Sequence, residues 1–310
     1  MTVVPSARNQ GKPGGEAPSR LAASACPGGA PDSARALVET VGRLGSLVVA
    51  FSGGVDSTVV LAAAVRGLGE DRVVAAIADS PALARAELEA ARATAAAVGS
   101  ELVVLDTDEL SVRGYRANAG NRCYFCKRTV LSAVSGLRDA RGFAHIATGT
   151  HLDDRRAGHR PGLAAAREAG VVEPLADTGL TKADVREIAE VWGLAVADKP
   201  GMPCLASRVA VGVPVTRERL ALVERAEEVA RACLGRHGIA VRDLRVRLLA
   251  DGFRAELDER AYAWLGRRPR EADGLVRELA AALPLGVGTL APYRSGSVST
   301  PAALEKAAPQ

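Results

Sequence analysis

Aromatic side chains are scarce: Phe, Trp and Tyr make up 3% of the 310 residues. Base-stacking platforms and aromatic sugar clefts need several such rings, so neither is expected as the main binding theme. Charge of one sign is scarce too. Forty basic against 36 acidic side chains leave a net charge of +4, which argues against a dedicated nucleic-acid surface but not against contacts to a few phosphates. No apolar run reaches the roughly 18 residues of a membrane span, so no membrane partner is expected. Cysteine is sparse and odd in number (Cys26, Cys123, Cys126, Cys204 and Cys233), unlike the even framework of a secreted disulfide scaffold. The four histidines, His145, His151, His159 and His237, form no H-E-x-x-H or clustered ligand pattern, which speaks against a hydrolytic zinc enzyme. A charged n-region leading into an apolar h-region is also missing. These absences together point to a cytoplasmic protein with reduced thiols.

What is present is ordinary globular material, 48% hydrophobic and 25% charged, in a length that suits about two domains. Residues 1–33, rich in Gly, Pro, Ser and Ala, read as a mobile leader. The periodicity then predicts a helix over Ala34–Leu44, a strand over Ser46–Phe51, a helix through Leu61–Val65, a strand over Arg72–Ala78, a helix over Ala82–Val98, and strands over Glu101–Leu105 and Phe143–Ala147. Continuous apolar strands alternating with helices indicate an α/β fold, a Rossmann-like parallel sheet covered on both faces. Ligands of such sheets bind beyond the carboxyl ends of the strands. Gly149–Pro161 reads as a polar loop. Thr181-Lys182-Ala183-Asp184 has capping-box spacing, with Asp in place of Glu, and opens a helix to about Trp192. Lys199–Pro214 is expected to be largely irregular. Beyond it a helix over Thr216–Leu234, strands over Val241–Leu249 and Phe253–Leu257, and a helix near Glu271–Ala282 suggest a smaller α+β domain. The expected division is 34–210 for the nucleotide domain, 211–298 for the smaller substrate and oligomerisation domain, and 299–310 for a tail.

The most informative segment is Ser52-Gly53-Gly54-Val55-Asp56-Ser57, between a buried strand and a helix. Two glycines let backbone amides approach a polyphosphate, Ser52 and Ser57 add hydroxyls, and the helix turns its free N–H groups toward an anion. A Walker loop would need Gly-Lys-Ser/Thr, and no lysine is present. The segment resembles the SGGxDS PP-loop of ATP pyrophosphatases, the adenine nucleotide alpha hydrolase type, which cleave ATP between the α and β phosphates. That resemblance implies ATP and Mg²⁺ as ligands, with Ser52, Gly53, Gly54, Asp56 and Ser57 around the nucleotide.

Further motifs narrow the choice within that superfamily. Asp79-Ser80-Pro81-Ala82-Leu83, Asn121-Arg122-Cys123-Tyr124-Phe125-Cys126-Lys127, Arg160-Pro161-Gly162-Leu163, Gly179-Leu180-Thr181-Lys182, Asp198-Lys199-Pro200 and Cys204-Leu205-Ala206-Ser207-Arg208 occur in order. Over roughly residues 35–296 they resemble the LarE-type pyridinium-3,5-biscarboxylic acid mononucleotide sulfurtransferases. The family supplies sulfur for the nickel-pincer nucleotide cofactor. His151 stands where the family commonly has Asn, and Val209-Ala210-Val211-Gly212 replaces a more usual Ile-Pro-Tyr-Gly.

The resemblance implies carboxylate adenylation by ATP, thiolate attack, and release of a thiocarboxylate, with a small pyridinium mononucleotide as partner and a homo-oligomeric protein. It adds Ser80 to the ATP residues and marks Cys204 as the nucleophile, in a Pro-bounded loop with Arg208 close in sequence. In the sacrificial version, the C–S bond of Cys204 breaks and leaves dehydroalanine. Cys123 and Cys126 form a C-x-x-C, which can bind zinc, cycle as a redox pair or supply cluster thiolates. With Cys204 they make three thiolates, as in family members that carry a [4Fe–4S] cluster with one open iron. Arg245 and Arg247, two apart in a strand, share one face and match the family's phosphate-binding arginines. Glu227 and Glu256 match acidic family positions that could hold a divalent metal or move a proton, and an i,i+4 pair with Arg231 explains Glu227 equally well. Cys233, on the stripe of Leu220, Val223 and Ala226, reads as core, and Cys26 as incidental. Two rivals remain: a tRNA thiolase of the same superfamily, and a non-catalytic nucleotide or iron–sulfur binding module.

Overall fold

The computed structural model describes residues 31–157, 161–201, 203–283, 286–294 and 296–298. The readings placed on residues 1–30 (Cys26 among them), His159, Arg160 and the tail 299–310 lie outside those residues. Two compact units are present, one from residues up to 108 with 123–201, the other from 109–122 with 202–310. One unit boundary lies at 201/202, and the inclusion of 109–122 in the second unit has no counterpart in the linear pattern.

In the first unit α1 (Asp32–Gly42), β1 (Leu47–Ala50), α2 (Val55–Leu68), β2 (Val73–Asp79), α3 (Arg85–Val98) and β3 (Glu101–Asp106) follow one another. The next helix, α4 (Arg113–Ala117), belongs to the second unit. The first unit resumes with α5 (Arg122–Arg141), β4 (His145–Ala147), α6 (Leu152–Arg156), α7 (Pro161–Glu168), α8 (Pro174–Asp177) and α9 (Lys182–Val191). The strands form one parallel sheet in the order β3-β2-β1-β4, the α/β arrangement that the apolar strands imply. Side chains alternate across it. Leu47, Val49, Ala75 and Ile77 pack with α1, α2, α3 and α9 on one face. Val48, Val74, Ala76 and Ile146 pack with Leu131 and Val134 of α5 and Ala166 of α7 on the other. Burial on both faces explains why these strands read as continuous apolar runs.

Helix α2 is apolar almost all round, Val59 to Ala64 being fully buried, because α1, α3 and α9 enclose it. Helix α9 begins with the expected capping box: the Thr181 amide and hydroxyl donate to Asp184 Oδ2 at 2.8 and 2.6 Å, and the side chain of Thr181 caps the Asp184 amide. These bonds stabilise the Asp184 carboxylate and hold its pKa below the ordinary value. One expectation fails here. Gly149–Pro161 is not all loop, since α6 forms within it with Asp153 and Asp154 in its first turn, where acidic groups suit the helix dipole.

The second unit has α10 (Arg217–Arg236), β5 (Leu244–Leu248), β6 (Gly252–Leu257), α11 (Glu259–Gly266), α12 (Pro269–Ala282) and β7 (Val287–Pro292). Strands β5 and β6 pair antiparallel, and β6 and β7 parallel. Leu220, Val223, Ala226, Ala230 and Cys233 of α10 are buried. Burial, with Glu278 beside it, pushes the Cys233 thiol pKa up, in keeping with a packing role.

Helices α1 and α2 approach at glycines. A Cβ built on Gly67 would lie 2.7 Å from the Val38 carbonyl oxygen and 3.2 Å from the Gly42 amide nitrogen. Both are backbone atoms that cannot move aside singly. Gly67→Ala is therefore expected to destabilise the protein by about 1–3 kcal/mol despite alanine's better helix propensity, read as a lower midpoint in chemical denaturation.

Candidate functional site

The loop after β1 is shaped by backbone geometry. The Phe51 amide still bonds the Ala76 carbonyl at 2.8 Å, and then the chain turns. Gly53 has φ +68°, and a Cβ there would sit 3.0 Å from Ala91 Cβ and 3.1 Å from Ala91 Cα. Glycine is needed both for the left-handed conformation and for the space. Gly54 caps α2. Ser57 Oγ receives the Ser52 amide at 3.2 Å and lies 3.2 Å from the Gly54 carbonyl and 3.1 Å from Ser52 Oγ. The two hydroxyls expected to face a ligand therefore also brace the loop from within. The first amides of α2 have no intrahelical acceptor, and with the helix dipole they form an anion cradle.

Two lysines that residue spacing did not assign reach this loop. Lys182 Nζ lies 2.6 and 2.7 Å from the two carboxylate oxygens of Asp56. Lys199 Nζ donates to the Gly53 carbonyl at 3.2 Å and to Glu87 at 2.7 Å. A signal for both exists in the chain, since they lie within the Gly179–Lys182 and Asp198–Pro200 motifs. Lys182 is placed by α9, and its amide donates to Asp153 Oδ2 at 2.8 Å. Gly149, after β4, comes so close that a Cβ would lie 2.7 Å from the Ser57 amide nitrogen. Ser80 is buried after β2, its Oγ accepting from the Ala82 amide at 3.3 Å. The segments after β1, β2 and β4 thus lie at one end of the parallel sheet, the carboxyl end where ligands of such sheets bind.

Cys123 and Cys126 occupy the first turn of α5, the former exposed and the latter half-buried. Lys127 follows, and burial lowers its ammonium pKa while Cys126 and Glu173 pull it back up. Among the described residues of each unit, no group of three His, Cys, Asp or Glu side chains is gathered as a metal site.

In the second unit Cys204 is exposed at the start of a 3₁₀ turn, Leu205–Arg208. Arg208 is buried and directed elsewhere than the thiol. Its Nε and Nη2 meet Glu227 at 2.9 and 3.1 Å, and its Nη1 bonds the Pro203 carbonyl and, at 3.2 Å, the Cys204 carbonyl. Glu227 also accepts from the Val246 amide at 3.1 Å. Glu256 receives Arg247 at 3.0 Å, Arg254 at 3.2 Å and Ser297 Oγ at 2.5 Å. Both glutamates serve here as counter-ions of buried guanidinium groups, a setting that fits arginine better than a divalent cation. Arg245 and Arg247 are 0% and 4% exposed. Burial first, and then the Arg208 charge, press the Arg245 pKa below its ordinary value, with Arg247 adding to the same push. Such a setting favours an added anion. Arg247 Nη1 also donates to the Ser207 carbonyl at 3.4 Å.

Gly149→Ala is expected to push its Cβ into the start of α2 and to weaken nucleotide affinity by at least roughly tenfold, a cost of about 1.4 kcal/mol. Gly136→Ala, in α5 with nothing within 4 Å, should leave affinity unchanged. Isothermal titration of each variant with ATP and Mg²⁺ checks both.

A family model described as NAD synthase matches residues 31–121, the segment that holds the Gly53–Gly54 loop. The uncharacterized protein slr1717 of Synechocystis sp. is 41% identical over 65% of this chain and 74% of its own length. A glutamine-hydrolyzing GMP synthase component of Methanoculleus marisnigri is 33% identical over 61% of this chain and 64% of its own. The pyridinium-3,5-bisthiocarboxylic acid mononucleotide synthase of Lactiplantibacillus plantarum is 32% identical over 72% of this chain and 78% of its own. Joined to a PP-loop at the carboxyl end of a parallel sheet, these matches show that the chain belongs to the LarE-type family of ATP-using PP-loop enzymes.

Proposed function

We propose that the protein inserts sulfur into a pyridinium-3,5-biscarboxylate mononucleotide for assembly of a nickel-pincer nucleotide cofactor. The observation that carries this reading is the joining of Cys204 to the arginines in one hydrogen-bonded frame. Arg247 bonds the Ser207 carbonyl, Arg208 bonds the Cys204 carbonyl, and Arg245 and Arg247 are neighbours on β5. A phosphate monoester suits paired guanidinium groups, and its seat in that frame would set the reacting carboxylate relative to the thiol.

The chemistry balances in three steps. A substrate carboxylate oxygen attacks the α-phosphorus of ATP, and pyrophosphate leaves. The α2 amides and Lys182 take up the charge of the departing group, with Ser52, Ser57 and Ser80 around the nucleotide. The Asp56 carboxylate, now shared with Lys182, is the group that would hold Mg²⁺, which neutralises phosphate charge when bound. The Cys204 thiolate then attacks the acyl carbon and AMP leaves. In the sacrificial route loss of the Cys204 Cα proton expels the thiocarboxylate and leaves dehydroalanine. In the alternative route Cys123, Cys126 and Cys204 would be the three thiolate donors of a [4Fe–4S] cluster, which would supply sulfide and spare the cysteine. The setting we infer is the cytoplasm, with the protein self-associated as in the family.

Intact-protein mass spectrometry before and after one anaerobic turnover with ATP, Mg²⁺ and the biscarboxylate nucleotide decides the sulfur source. Loss of one H₂S from Cys204 establishes the sacrificial route. An unchanged polypeptide with thiolated product and bound iron establishes the cluster. Sulfur in tRNA and none in the nucleotide would overturn the proposal. In single-turnover kinetics, Arg247→Lys should raise the mononucleotide concentration that half-saturates the rate roughly tenfold, since a bidentate fork becomes a point charge, with the half-saturating ATP concentration unchanged.

A further inference from the structure

Segment 109–122 belongs to the same unit as the Cys204 loop, and one side chain does most of the joining. Asn118 is the single non-glycine residue with positive φ among the described residues, at +50°. It is 1% exposed. Its Nδ2 points at three carbonyl oxygens of the segment that follows the Cys204 turn: Val209 at 3.3 Å, Ala210 at 2.8 Å and Val213 at 3.0 Å. Its own carbonyl accepts the Gly212 amide at 3.0 Å, and the Arg116 carbonyl accepts the Val215 amide at 2.9 Å. Arg122 Nη1 bonds its Oδ1, and Arg122 is the residue before Cys123.

The clasped segment is fixed on its other side by the strand that carries the arginines. The Ala210 amide donates to the Leu248 carbonyl at 2.9 Å, one residue beyond Arg247. The turn that begins at Cys204 is therefore anchored upstream by Arg208 on Glu227 and downstream by Asn118. Carbonyl groups that face one another without a donor are costly in a buried setting. An amide supplies donors where a carboxylate or an apolar side chain cannot. Asparagine is also among the few non-glycine residues that tolerate the left-handed conformation. Both properties are required at residue 118.

We propose that Asn118 is a positioning residue for the sulfur step: it holds segment 209–215, and through it the Cys204 turn, in the conformation that thiol attack needs. Its side-chain bonds go to the Val209, Ala210 and Val213 carbonyls and to Arg122, so it acts through the segment it holds. This rests on the reading that Cys204 acts on an adenylated substrate, and the test separates the two.

Asn118→Gly keeps the left-handed backbone and removes the clasp, and Asn118→Asp keeps the shape and replaces the donor by an acceptor. In single turnover with ATP, Mg²⁺ and the biscarboxylate nucleotide, both variants should release pyrophosphate at the wild-type rate. Thiolated product should form at least roughly tenfold more slowly. Hydrogen exchange should show the Gly212 and Val215 amides losing protection by at least roughly tenfold, while α10 and β6 keep theirs. Equal loss of pyrophosphate release and product would reduce Asn118 to a general stability role and overturn the proposal. Unchanged product formation, or unchanged protection at Gly212 and Val215 in the Gly variant, would overturn it as well. Should Asn118→Asp fail to fold, the Gly variant carries the test. Should the wild type release no pyrophosphate with this nucleotide, the functional reading fails instead, and hydrogen exchange still decides whether the clasp exists.

Discussion

The start of α2 is the point on which the first unit depends. Three segments have to come within backbone distance of it: the Gly53 turn against Ala91 of α3, Gly149 against the Ser57 amide, and Lys182 against Asp56. Each approach is allowed by a missing side chain or held by an ion pair. Together they gather the loops that surround the start of α2 at the carboxyl end of the sheet. An anion site made of backbone donors needs no particular ligating side chain. It does require rigidity, because amides that could turn away would lose their common aim. The internal bonds of Ser52 and Ser57 supply that rigidity.

The second unit solves a different problem, the burial of charge. Arg208 with Glu227, and Arg247 and Arg254 with Glu256, are nearly sealed from water. Buried ion pairs contribute little net stability when the cost of desolvation is counted, and their retention is better read as a means of orientation. Here the guanidinium groups double as backbone clamps, Arg208 on the Cys204 carbonyl and Arg247 on the Ser207 carbonyl. A loop with two nearby prolines and an exposed thiol, which has little core of its own, thereby acquires a defined shape.

Lys182 illustrates how an apparent surface residue acquires a defined partner in the nucleotide loop. Its motif reads as a helix start, and the Thr181–Asp184 capping box confirms that role. The same cap aims the lysine amide at Asp153 and its ammonium at Asp56. Local capping chemistry and the electrostatics of the nucleotide loop are thus coupled through a single residue.

Burial on both faces of a parallel sheet writes itself into the chain as uninterrupted apolar runs, so β1 to β4 and the Gly53–Gly54 turn were legible without coordinates. So was the α9 cap. Helix α5 was not. Only Leu131 and Val134 on it are fully buried, so its apolar stripe is thin, and its cysteines read as an isolated motif. Strand β7 was missed for a similar reason: it is a partly exposed edge strand with no strong alternation. Local order along the chain determined the parallel strands, most of the helices and the Gly53–Gly54 loop. Tertiary structure alone decided which charges meet: that Arg208 serves Glu227 rather than the thiol, that Lys182 reaches Asp56, and that Asn118 holds a segment some ninety positions away. Such pairings depend on through-space distance and shared burial, and neither is written in the spacing of residues along one chain.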